Sequence, residues 1–238
     1  MSGPDVGGTG GGAEEHRDVP FPPHPGVIVP EMPPAAAAVF GAAAGAATAY
    51  VGMLAGEGVI RGLIGPREVP RLWDRHVLNS AALAEAVPTG ARVVDVGSGA
   101  GLPGIPLALA RPDLSLTLVE PMARRVEFLT DVVAALGAPW RIVRGRAEER
   151  SVVRAVGPVD VVTARAVAPL PRLVGWCRGL LRPGAQLIAL VGATAAAEVP
   201  GLVPELEAAG MRDVHTRAVG VELGAAATTV VVMTRGGR

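Results

Sequence analysis

The densest chemistry in this chain lies in Asp95-Val96-Gly97-Ser98-Gly99-Ala100-Gly101-Leu102-Pro103-Gly104. Glycines at this spacing let a backbone turn tightly and approach a ligand with no Cβ in the way. Two patterns fit. Gly99, Gly101 and Gly104 satisfy the GxGxxG expression of dinucleotide-binding loops, which is a weak signal alone. Asp95, Gly97, Gly99 and Gly101 satisfy Asp-x-Gly-x-Gly-x-Gly, which adds a carboxylate ahead of the loop. A carboxylate there suits an ammonium group and repels a pyrophosphate, so the loop favours the cationic nucleoside S-adenosylmethionine over a nicotinamide dinucleotide. Glu120 lies 25 residues beyond Asp95, where a carboxylate can accept both hydroxyls of a ribose; the competing reading is a surface glutamate. Ala147 and Glu148 offer a backbone N–H and a carboxylate able to read an adenine edge, with Glu149 as competitor. Arg165 suits a cofactor contact or bidentate recognition of guanine or phosphate, against a surface ion pair.

These residues need elements to place them. Arg92–Val96 reads as a buried strand running into the glycine loop, and Leu102–Ala110 as a short helix with Pro103 and Pro106 in its first turn. Leu114–Glu120 is a second strand, and Arg124–Leu136 an amphipathic helix. Trp140–Arg144, Val159–Ala164 and Gln186–Val191 complete five strands, and helices are expected over Val167–Leu181 and Glu198–Ala209. Strands alternating with helices predict a parallel sheet covered on both faces. Asp213–Val219 and Thr228–Thr234 have no helical pattern between them, so they pair antiparallel. Asp95, Glu120, Glu148 and Arg165 then all fall at the carboxyl ends of strands, where open α/β sheets bind ligands. Upstream, Ala35–Gly56 reads as an Ala-rich helix weakened by glycines, and Val69–Val87 as another. Residues 1–34, with a Gly run and seven prolines from Pro20 to Pro34, read as a disordered tail.

Composition narrows the function classes. The chain has 238 residues, half of them hydrophobic, and a single cysteine, Cys177. A disulfide scaffold and a cysteine-based zinc cluster are excluded. There is no lysine at all, which removes Schiff-base chemistry and a P-loop. Net charge is zero overall, but the first 34 residues are acidic and the rest is modestly basic. Arginine clusters stand at Arg61–Arg75, at Arg124 and Arg125, and at Arg141–Arg154; each is a solvated face or a phosphate-binding surface. The uncharged run Ala35–Gly56 is long enough to span a bilayer, yet most of it is Ala and Gly, which gain little from lipid. A signal peptide needs a basic start. The expectation is a cytoplasmic protein with no membrane attachment.

The segment holding Gly62, Gly65, Glu68, Arg71, Trp73, Arg75, His76, Asn79 and Ser80, followed by Asp95–Pro106, resembles the RsmG (GidB) family. Leu118–Arg125, Arg144–Glu148, Thr163–Leu170 and Trp176 follow its pattern and order, over about residues 50–235. Gly-Leu-Pro-Gly-Ile-Pro after the glycine loop is far more specific than the glycines. The resemblance implies a bacterial methyltransferase acting on N7 of a guanine in the decoding-region loop of 16S rRNA. It implies S-adenosylmethionine contacts at Gly97, Leu102, Ala147, Glu148 and Arg165; the residues themselves add Asp95, Gly99 and Glu120. The family's Ala-Leu-Lys-Gly at the end of the fifth strand reads Ala189-Leu190-Val191-Gly192 here, so a cation is replaced.

The expected architecture is therefore a Rossmann-like class I methyltransferase, a seven-stranded, mostly parallel sheet with an antiparallel terminal hairpin. Residues 1–34 form a tail, 35–90 a small helical segment and 91–238 the cofactor-binding domain. The expected partner is 16S rRNA, free or within a 30S particle or assembly intermediate, with no metal. The alternatives are a methyltransferase for another RNA or a small molecule, and a catalytically weak RNA-binding protein that keeps the cofactor. Guanine N7 carries a lone pair and no proton, so no catalytic base is required and Arg165 serves positioning. Trp176 and Cys177 read as core, and His76 as either structural or functional.

Overall fold

A computed structural model of the chain describes residues 28–165, 168–221 and 227–237. Its centre is a seven-stranded sheet in the order β3-β2-β1-β4-β5-β7-β6. The strands are β1 (Arg92–Val96), β2 (Ser115–Glu120), β3 (Arg141–Arg144), β4 (Val159–Arg165), β5 (Leu181–Val191), β6 (Met211–Val219) and β7 (Thr228–Arg235). The first five run parallel, and β7 lies antiparallel between β5 and β6. The two terminal strands pair as expected, with β7 next to β5 and β6 at the sheet's edge.

Alternation along the strands sorts side chains to the two faces. Val93, Leu118, Val161, Ile188 and Val230 enter one core, while Val94, Val119, Val162, Leu187 and Val231 enter the other. Asp95, Glu120, Thr163 and Arg165 share the parity of the first set. The first face is covered by α1 (Pro34–Phe40), α2 (Ala44–Met53), α3 (Asn79–Ala81), α4 (Gly104–Ala110) and α5 (Ala123–Ala135). The second is covered by α6 (Arg150–Val156), α7 (Leu170–Cys177) and α8 (Ala193–Ala208).

Several element limits differ from the sequence reading. Pro34–Gly58 winds as one helix, tightening to a 3-10 turn at Gly41–Ala43 and widening to a π-type turn at Leu54–Gly58. Glycine and alanine offer little side-chain packing to hold one pitch. The expected helix over Val69–Val87 is a chain of short turns, with 3-10 geometry at Pro66–Arg71 and π-type geometry at Leu72–Leu78. Pro70 removes an N–H donor there. α6 was not read as a helix; its arginines obscured Val152 and Val156, which are buried. β5 starts at Leu181 rather than Gln186, because the register against β4 shifts near Pro183 and Gly184.

The tail expectation for residues 1–34 needs correction at its end. Residues 1–27 lie outside the described residues. Residues 28–33 form neither helix nor strand, but Val29 and Met32 pack on the core, and the Trp73 indole donates to the Pro30 carbonyl at 3.0 Å. Tyr50, Val51 and Leu54 on the following helix are fully buried, so that face belongs to the protein core.

Candidate active site

The loop after β1 is built on three positive-φ glycines, Gly97, Gly99 and Gly101. It is fastened from below. Gly97 and Ser98 donate their N–H groups to the Val119 carbonyl at 2.9 and 3.2 Å, and Tyr50 donates its hydroxyl to the Ala100 carbonyl at 2.8 Å. Burial, with the Asp95 charge nearby, raises the Tyr50 hydroxyl pKa well above its ordinary value, so it stays a donor.

Asp95 is completely buried. Its Oδ2 accepts from the Gly104 N–H at 3.3 Å and its Oδ1 from the Thr163 hydroxyl at 3.2 Å. A Cβ on Gly104 would lie 2.9 Å from Oδ2, so glycine is required for this approach. Desolvation pushes the Asp95 carboxyl up to about 7. Asp95, expected to meet a ligand ammonium, ties the loop to α4 and β4 and lines neither adjoining cavity.

Glu120 is equally enclosed but lies at a cavity wall. Its Oε2 accepts from the Gly99 N–H and its Oε1 from the Met122 N–H, both at 2.9 Å. Each carboxylate oxygen keeps a second lone-pair site for a hydroxyl. The cavity, of about 140 Å³, is also lined by Gly97, Met122, Ala147, Glu148 and Trp176. Trp176, read as core from the sequence, packs against the second core and also presents a surface to this cavity. Cys177 is buried, and desolvation pushes its thiol up to about 12.

A second cavity, of about 340 Å³, lies on the other side of the glycine loop and is lined by Gly97, Gly99, Leu102, His76, Arg125 and Arg165. The two cavities share Gly97 and Arg125. Seven of the eight expected site residues therefore gather around one loop, with Asp95 beneath it. Arg165 extends the β4 end toward the helical segment: Nη2 donates to His76 Nδ1 at 2.7 Å, and Nη1 reaches the Ser80 hydroxyl at 3.3 Å. His76 in turn meets Glu68 at 2.8 Å. The sequence leaves His76 open, because the family-like segment that holds it assigns it no role, and offers no motif at Tyr50; only folding brings them to the loop.

The side chains fit the cofactor that the loop implies. Val96, Val119 and Trp176 supply apolar surface for a purine beside the backbone of Ala147. Glu120 has lone pairs that would accept from a ribose's hydroxyls. Arg125 stands 3.7 Å from Glu120, and its buried Nε has no hydrogen-bond partner among the described residues, a donor available to a bound acceptor such as an amino-acid carboxylate.

Comparison with known proteins shows the family. The family model described as rRNA small subunit methyltransferase G matches residues 44–223. The chain belongs to this family. Methyltransferase G of Mycolicibacterium gilvum (strain PYR-GCK) is 52% identical over 204 residues, covering 86% of this chain and 90% of the relative. That of Salinispora arenicola (strain CNS-205) is 57% identical over 199 residues, covering 81% and 82%. Membership makes the chain an S-adenosylmethionine-dependent methyltransferase, and the match includes the helical segment that carries Tyr50 and His76. Two solved structures share the fold alone. A methyltransferase from Pyrococcus furiosus has a TM-score of 0.51 at 13% identity, covering 66% of this chain and 80% of its own. The mitomycin 7-O-methyltransferase MmcR has a TM-score of 0.54 at 17% identity, covering 76% and 57%.

Proposed function

We propose that this methyltransferase acts in the cytoplasm on N7 of a guanine in the decoding-region loop of 16S rRNA, either free or within a 30S particle or assembly intermediate. When bound, S-adenosylmethionine supplies a methyl group on a positively charged sulfur that departs as a neutral thioether. Glu120 and the backbone at Ala147 hold the nucleoside end, and Arg125 and Arg165 face the cavity on the other side of the loop. The N7 lone pair would take that methyl group as the thioether leaves, so this chain's residues have no proton to remove from the base.

The observation that carries this reading is the absence of a free base in the larger cavity among the described residues. His76 is its only side chain with an ordinary pKa near neutrality, and both ring nitrogens are engaged. Ser98 is also engaged, through a hydrogen bond to the Asp95 carbonyl. Such a site can align a nucleophile that needs no deprotonation, with reacting atoms brought to about 3–3.5 Å. Side chains cannot reach N7 within an A-form duplex, so the target base must lie in a loop or be turned out of its stack. Arg67, Arg71, Arg124, Arg144, Arg146 and Arg150 are exposed and can meet phosphates around it.

The test is mass spectrometry of 16S rRNA from cells lacking this protein, before and after complementation. N7-methylation of the loop guanine that appears only with the gene supports the assignment, and its presence in both overturns it. Parallel assays on deproteinised rRNA and on 30S particles identify the substrate form.

A further inference from the structure

We propose that Glu68 and His76 are positioning residues for methyl transfer, a two-step relay that holds the Arg165 guanidinium in the cavity beside the glycine loop. This rests on the reading above, in which Arg165 works on the bound groups.

Hydrogen-bond chemistry fixes the relay's polarity. A guanidinium has donors and no acceptor. At 2.7 Å from Arg165 Nη2, His76 Nδ1 must therefore carry the lone pair. The ring proton then sits on Nε2 and donates to Glu68 Oε2 at 2.8 Å. Glu68 is held in turn by Arg75 at 3.4 Å. Burial lowers the His76 pKa from its ordinary value, which favours the neutral ring this arrangement needs. Arg165 Nη1 reaches the Ser80 hydroxyl at 3.3 Å and the His76 carbonyl at 3.5 Å. One stretch of the helical segment, from His76 to Ser80, thus grips one edge of the fork. The Nε–H and the second Nη2–H have no partner among the described residues.

The arrangement is poorly explained as a stability device. Arg165 is largely buried, and desolvation opposes its charge. Among the described residues no carboxylate lies within ion-pair distance of it. Its neighbouring acceptors are a neutral ring, a hydroxyl and a carbonyl, and the Glu68 carboxylate is one histidine away. A cation buried only for stability is better served by direct pairing. One aimed by neutral acceptors at an open cavity keeps its charge for whatever enters. Guanine O6 or the cofactor's carboxylate has the required acceptor character.

The test uses the full chain in methyl transfer to rRNA or 30S particles, with cofactor affinity by calorimetry and thermal midpoints to confirm folding. His76→Ala and Glu68→Ala should each lower turnover tenfold or more. His76→Asn should restore much of the loss, because its amide oxygen stands near the Nδ1 position. His76→Gln reaches the Nε2 position instead and should not. In an Arg165→Ala background, His76→Ala should add almost nothing, since coupled residues are non-additive. If His76→Gln rescues and His76→Asn does not, His76 only braces Glu68 and the relay is wrong. Full additivity of His76→Ala and Arg165→Ala, with Arg165→Ala itself slow, also overturns the relay while sparing the role of Arg165. Wild-type turnover in Arg165→Ala overturns that role itself. Should His76→Ala fail to fold, the Asn-against-Gln comparison and rescue of Glu68→Ala by Glu68→Gln, which keeps an acceptor, decide the matter.

Discussion

Glu120 and Asp95 are both enclosed carboxylates at strand ends, yet they face opposite demands. Glu120 borders a cavity with lone pairs to spare, so Glu120→Ala should weaken S-adenosylmethionine binding by about 1.5–3 kcal/mol, the scale of hydrogen bonds to a charged group. Calorimetry should read this as roughly tenfold to more than a hundredfold in affinity. Asp95 instead clamps Gly104 and Thr163, so Asp95→Asn, whose amide oxygen can accept from Gly104 while its nitrogen donates to the Thr163 hydroxyl, should leave cofactor affinity within about threefold, less than about 0.7 kcal/mol. Its signature should lie in stability. A carboxyl raised from its ordinary 3.8 to about 7 favours folding in the protonated form. That contribution is complete below about pH 4 and is lost as pH rises through about 7. The thermal midpoint should therefore fall between pH 5 and 8 more in the natural protein than in Asp95→Asn. The sequence made Asp95 visible as a motif residue but not its direction, since a pattern of residue types says nothing of whether a side chain turns over or under a loop. That Glu120, Ala147, Glu148 and Arg165 gather near the loop was legible because strand ends in an alternating pattern must converge on one edge.

At the scale of elements, α2 acts as a strut for the glycine loop. Tyr50 spans from it to the Ala100 carbonyl. Tyr50→Phe should leave that carbonyl without its partner, at a cost of about 1–3 kcal/mol. Both a lower thermal midpoint and weaker cofactor binding should follow; a drop in midpoint with unchanged affinity would mean that the strut supports the fold but not the loop. The five parallel strands were readable from β-branched runs bounded by glycine and proline. The helical segment was readable only in outline. Its Ala and Gly residues give no amphipathic stripe, so nothing in the sequence indicates which turn tightens, which widens, or that Tyr50 points at the loop. α6 was hidden for the opposite reason, because a helix short enough to bury only Val152 and Val156 is outweighed by its charged face.

For the whole molecule, the first face of the sheet and the helical segment share one continuous core, which makes the N-terminal trimming point informative. Removing residues 1–27 should leave the thermal midpoint nearly unchanged, on the grounds of their composition. Removing residues 1–34 also takes away Val29, Met32 and the Trp73–Pro30 hydrogen bond. A loss of about 1 kcal/mol or more there would lower the midpoint by roughly 2–4 °C or more, readable by calorimetry on both truncations. The layered fold followed from alternating strands and helices, whereas the strand order did not, because a two-stranded ending pairs equally well with either member against β5. That choice has a consequence for how the molecule is made. During synthesis β6 leaves the ribosome before β7, yet β6 has no place in the sheet until β7 has docked beside β5. The nascent chain must keep the β5 edge unpaired and β6 waiting, with exposed apolar surface of the kind that recruits chaperones. Ribosome-bound chains halted so that β6 but not β7 has emerged from the exit tunnel should therefore remain sensitive to protease across β5 and β6, and chains halted far enough beyond Arg235 for β7 to emerge should become resistant.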